Sequence, residues 1–172
     1  MSFQEKIFVA FDGVNDQEVY QELIKMKQSD NTPFMFYSAL DLHKRLDKDS
    51  DEVLKAKIYH LMQESKVCLV IVGKTTKTFR RFIKWQIERA IETNMPIIML
   101  NPNYIRSVDF DRCPSLMKKN LALHIAMQDK IIEYALLNFP TSYNKYLQEE
   151  VKAPLRYAQS VYEGLGLYTS DL

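Results

Sequence analysis

Glycine is scarce in this chain, with four among 172 residues, and the scarcity bears on phosphate loops first. No G-x-G-x-x-G occurs, which weakens a dinucleotide-binding Rossmann reading. The stretch GKTTKT (73–78) resembles the end of an ATPase or GTPase phosphate loop. The first glycine of that motif would fall at Cys68, inside an apolar run, so the loop is rejected. Cysteine is rarer still. Cys68 sits in VCLVIVG and Cys113 in the loop-like DRCPS; with no signal segment, this pair implies no disulfide framework and a reducing cytoplasm. Apolar runs of membrane-spanning length are absent. Excess charge is absent too: a net charge of +1 gives no reason to expect nucleic acid or an acidic membrane as partner. His43, His60 and His124 are scattered without metal-ligand spacing, and His124 reads as a structural residue on an apolar helix. Ser38 lacks the glycines of a nucleophile elbow.

What remains is a hydrophobic fraction of 47% and a charged fraction of 26%, without repeats or low-complexity tracts. Those values predict one globular domain over 1–172, with a core of about 5–100 and C-terminal helices over about 115–165. KIFVAF (6–11), KVCLVIVG (66–73) and PIIML (96–100) read as strands covered on both faces, because their apolar residues run on rather than alternate. PFMFY (33–37) is a fourth. Helices are predicted over 15–27, capped by Asn15 or Asp16, over 50–65, capped by Ser50 or Asp51, and over 79–93. Strands alternating with helices predict an α/β fold with a mostly parallel, flavodoxin-like sheet, helices on both faces and a C-terminal helical extension. LALHIAMQDKIIEYALLNF (121–139) reads as a helix stopped by Pro140. A last helix, interrupted at Pro154, is followed by the tail GLGLYTSDL.

Gly13 and Gly73 each follow a predicted strand, on the rim where open α/β sheets bind ligands. A glycine there is more often a tight turn alone, yet half of the chain's glycines fall on one rim. Lys74, Lys77, Arg80, Arg81 and Lys84 surround the start of the helix after the third strand. They form either a solvated face or an attraction for a phosphate-bearing molecule at a helix N-terminus.

Taken together, KIFVAFDGVND, VCLVIVGKTT and FIKWQIERAIETNMPIIML resemble the TIR-like domains of the bacterial Thoeris antiphage family, of the ThsB type. That family carries F-D-x-x-N-D after its first strand, I-G-K-x-T after its third, and then an aromatic-x-x-W-E-I-E-K-A-I helix. The resemblance covers residues 5–100. It implies a flavodoxin-like TIR fold and an enzyme that takes NAD+ as substrate and needs no cofactor. Such an enzyme releases nicotinamide and makes a cyclic or otherwise modified ADP-ribose, a diffusible signal for a separate effector. It also implies Phe11, Asp12, Asn15, Asp41, Thr75 and Phe82 as nucleotide-binding residues. The family's catalytic glutamate falls at Gln86.

Glutamine keeps the shape and one acceptor but has no charge and cannot act as a base. Glu88 lies about 200° further around the helix and cannot replace it. Three accounts stand: an altered chain that holds substrate without turnover, a naturally non-catalytic TIR, or a carboxylate from elsewhere, with Asp12, Asp16 and Asp41 on the rim. The intact motif around position 86 favours the first. The alternative function is a non-catalytic interaction or nucleotide-binding module, assembling into a homo-oligomer, with Tyr143, Tyr146, Tyr157 and Tyr162 as interface residues. A phosphoaccepting receiver fails because Gly73 stands where the aspartate would be; a flavin domain shares the architecture and would be coloured.

Overall fold

The computed structural model describes residues 4–28, 32–78 and 81–167. Six strands form one sheet in the order β2-β1-β3-β4-β5-β6, every neighbouring pair parallel. They are β1 (Glu5–Ala10), β2 (Phe34–Ser38), β3 (Val67–Ile71), β4 (Ile97–Asn101), β5 (Ala122–Ala126) and β6 (Pro154–Arg156). The helices are α1 (Gln17–Gln28), α2 (Leu40–His43), α3 (Asp51–Gln63), α4 (Arg81–Glu92), α5 (Asp129–Gln148) and α6 (Gln159–Gly164). The expected flavodoxin-like arrangement is present, with helices on both faces.

Alternation along β1 divides the core in two. Ile7 and Val9 join Tyr20 and Leu23 of α1 and Ile131, Ile132 and Phe139 of α5. Phe8 and Ala10 face the other way, against Leu54 and Ile58 of α3 and Phe82 and Trp85 of α4. The buried Lys27 at the end of α1 pairs with Asp129 at the start of α5, tying those helices together. Ser50 caps α3, its hydroxyl accepting from the Val53 N–H at 3.3 Å. Residues 79 and 80, the start of the expected 79–93 helix, and 168–172 of the expected tail lie outside the described residues.

Several expectations for the C-terminal third are corrected. The 121–139 segment is not one helix: β5 occupies Ala122–Ala126, and α5 starts only at Asp129. Nor does Pro140 stop α5, which continues to Gln148 with the proline inside it. An internal proline costs about 3 kcal/mol. On either side of it, Leu136, Phe139 and Tyr143 bury apolar side chains, each contributing about 1.5–3 kcal/mol, so packing outweighs the lost bond. His124 therefore lies on β5, fully buried, where burial pushes its imidazole down to about 4.

The segment expected as a last helix instead supplies β6, which pairs with β5, and then α6. Pro154 opens the strand, a position that needs no ladder N–H. The tyrosines expected at an interface divide. Tyr143 and Tyr162 are 3% and 0% exposed, so neither offers a surface, and Tyr146 and Tyr157 are half-buried. Tyr162 fastens α6 to the sheet, its hydroxyl oxygen accepting from the Ala126 N–H at 3.3 Å. Tyr162→Phe should cost about 1–2 kcal/mol in urea unfolding, because a buried N–H loses its acceptor.

Candidate functional site

In the 2-1-3-4-5 part of the sheet the strand order reverses between β1 and β3, and the loops leaving these strands meet at their carboxyl ends, where open α/β sheets bind ligands. Parallel pairing places Ala10 beside Val70, so both loops start at one level. The β1–α1 loop is Phe11 to Asp16 and the β3–α4 loop begins at Val72.

Asp12 organises the first loop. Its Oδ1 accepts from the Val14 and Asn15 N–H groups at 2.9 and 3.3 Å. Its Oδ2 accepts from Asn15 Nδ2 at 2.9 Å and, from the facing loop, from the Thr75 hydroxyl at 2.8 Å. Asn15 Nδ2 also reaches Thr75 Oγ1 at 3.3 Å. Three expected site residues thus form one polar clamp between the β1 and β3 loops. Burial pushes the Asp12 carboxyl up, but the bonds from Asn15, Val14 and Thr75 outweigh it and hold the group at about 2. The neighbouring Thr76 was not singled out in the sequence. It is buried, accepts from the Gly73 N–H at 2.8 Å and donates to the Ile71 carbonyl at 3.2 Å, which pins the second loop.

Asp16 has the opposite character. It is 4% exposed and, among the described residues, its Oδ2 has no hydrogen-bond partner. Burial, then the charge of Asp12, raise it from 3.8 to about 6, against the pull of the Asp12 N–H and Arg112. The two acids therefore affect stability with opposite signs. Asp12 stabilises above about 3.8 and loses that contribution as pH falls towards 2. Asp16 stabilises most below 3.8 and loses that contribution as pH rises to 6. Asp16→Asn should remove the latter: urea midpoints measured from pH 4 to 7 should show the variant gaining stability relative to the parent as pH rises.

The remaining expected residues are placed differently. Phe11 is buried and stacks on Tyr20 at 4.5 Å. Phe82 is 3% exposed, its ring enclosed by His43 at 5.1 Å and Trp85 at 6.4 Å. Asp41 lies outside the clamp, its side chain 95% exposed and paired with Lys44 at 3.2 Å. Gln86 is 1% exposed, and its Nε2 donates back to the Phe82 carbonyl at 3.0 Å. Glu88 pairs with Lys84 at 3.6 Å.

Of the cationic cluster, Arg81 is bound to Asp51 and the Leu46 carbonyl, and Arg80 lies outside the described residues. Lys74 and Lys77 are exposed, and among the described residues neither forms an ion pair. His43 was singled out only as a non-ligand, yet its ring fills the space beside Gly13, where a Cβ would come within 3.0 Å of it. Its alternation with leucines in α2 gave no signal of that role. Among the described residues no cluster of His, Cys, Asp or Glu could hold a metal ion, and no helix is long and apolar enough to cross a membrane. Cys68 and Cys113 are both buried and unpaired, and burial pushes their thiols up to about 12 and about 11.

A family model described as the TIR-like domain of the Thoeris protein ThsB matches residues 8–107, more than half of the chain. No curated protein matches it.

Proposed function

We propose that this chain, which belongs to the Thoeris ThsB TIR-like domain family, binds NAD+ or a related adenine nucleotide between its β1 and β3 loops in antiphage defence. The observation that carries this reading is the Asp12–Asn15–Thr75 clamp, which joins the two loops at the point where strand order reverses. The exposed Lys74 and Lys77 flank Thr75 and Thr76 in sequence and form no ion pair among the described residues, which leaves them to neutralise a pyrophosphate. With glutamate at position 86 the site would cleave the nicotinamide–ribose bond, because a carboxylate stabilises the oxocarbenium charge that develops there. The product would be a cyclic or modified ADP-ribose that acts on a separate effector.

With glutamine the same site binds without turning over. That second reading, a non-catalytic nucleotide-binding module, is favoured by one observation: the Gln86 amide is already satisfied by the Phe82 carbonyl and is almost wholly buried. Calorimetric titration with ADP-ribose tests what both readings share. Saturable binding that weakens when Lys74 and Lys77 are both replaced by alanine supports it. No heat of binding at millimolar nucleotide would end both.

A further inference from the structure

Asp16 closes the FDGVND turn and immediately precedes α1. An acid at that position ordinarily caps the helix, accepting from its first-turn N–H groups. Here the carboxyl lies instead against the Cα of Gly73 on the facing loop. A Cβ built on Gly73 would fall 2.0 Å from Asp16 Oδ1 and 2.2 Å from Oδ2. Oδ2 is buried and, among the described residues, has no hydrogen-bond partner. The contact has no side chain between the two loops, and it is filled by a group that can carry either charge or a proton.

We propose that Asp16 is a positioning residue of the nucleotide site: neutral, it holds the β1 and β3 loops together in the form that accepts an anionic nucleotide, and ionised, it drives them apart. This rests on the reading of that loop pair as a nucleotide site. A neutral carboxyl tolerates the dry contact with Gly73, whereas a carboxylate there lacks solvation and faces the charge of Asp12. Charged and titratable groups lie on the neighbouring loops and helices. Asp12 comes from its own loop and Arg112 from the β4–β5 loop. His43 comes from α2 beside Gly13. The exposed Lys74 follows Gly73, and the exposed Glu18 lies in the first turn of α1. The raised carboxyl of Asp16 places the transition near pH 6. A bound pyrophosphate adds negative charge, raises Asp16 further and so takes up a proton.

The test is calorimetry with ADP-ribose, whose pyrophosphate diester does not titrate in this window, at pH 5.0, 6.0 and 7.5. Paired buffers of different ionisation enthalpy count the protons. The parent should take up a proton on binding above pH 6 and bind about fivefold or more weaker at pH 7.5 than at 5.0, since one linked proton gives at most tenfold per pH unit. Asp16→Asn should bind at every pH as the parent does in acid, without that uptake. A slope that persists in Asp16→Asn, as it would if His43 carried it, overturns this inference and leaves the nucleotide site standing. No binding by the parent at any pH overturns both. If Asp16→Asn does not fold, Arg112→Gln decides: loss of that positive charge should move the midpoint of the affinity profile upward, and an unmoved midpoint overturns the proposal.

Discussion

Replacing Gln86 by glutamate should raise nicotinamide release from NAD+ by on the order of a hundredfold or more over the parent chain. The expectation rests on charge, since the two side chains differ little in shape. At present the Gln86 amide donates to the Phe82 carbonyl at 3.0 Å. A carboxylate cannot donate and is repelled by the same oxygen, so it must turn away from that carbonyl. The same change should lower stability by about 1–3 kcal/mol, because an acceptor loses its donor and a charge enters a site that is 1% exposed. Activity and stability thus move in opposite directions, which a general improvement in folding could not produce. Nicotinamide is followed by chromatography at saturating NAD+. No release above the buffer control would exclude position 86 as the site of a lost carboxylate.

Gly73→Ala is the second large effect. The added methyl would overlap the Asp16 carboxyl, buried behind it, and short side chains have little room to retreat. Overpacking of this kind costs about 1–3 kcal/mol, and the displaced loop should also lose ADP-ribose affinity. The cause is separable from a general glycine effect by a double-mutant cycle. In an Asp16→Ala background the three atoms that the methyl would strike are gone, so Gly73→Ala should cost much less there than in the parent. Equal costs in the two backgrounds, measured by urea unfolding, would show that the contact does not set the effect.

How far the sequence alone could reach depends on how each element buries itself. β1, β3 and β4 are short, nearly continuous apolar runs bounded by polar turns, and they read correctly to within a residue or two. β5 fails the same test. LALHIAM is apolar apart from His124, and only two residues, Met127 and Gln128, separate β5 from α5. Periodicity cannot tell a doubly covered strand from a buried helical turn when no glycine or proline divides them. Pro140 misled for a related reason: its local cost is visible in the sequence, whereas the burial of Phe139 and Tyr143 that outweighs it depends on distant strands.

At the candidate site, the residues whose role is local were legible. Asp12 and Asn15 share a turn and a recognisable motif. Asp16 and His43 were harder, because each presses on a glycine from another segment, and Thr76, though its partners Gly73 and Ile71 are local, belongs to no motif the sequence offers. The scarcity of glycine was the available signal, since Gly13 and Gly73 are each pressed by one of them.

The two buried thiols make the molecule its own stopwatch. Cys68 lies on the central strand β3, while Cys113 lies in the connection that leads from β4 to β5. An alkylating reagent can reach the first only when the middle of the sheet comes apart, and the second when that connection alone swings out. Under native conditions the two capture rates therefore separate whole-molecule opening from a local excursion, with no probe added to the chain.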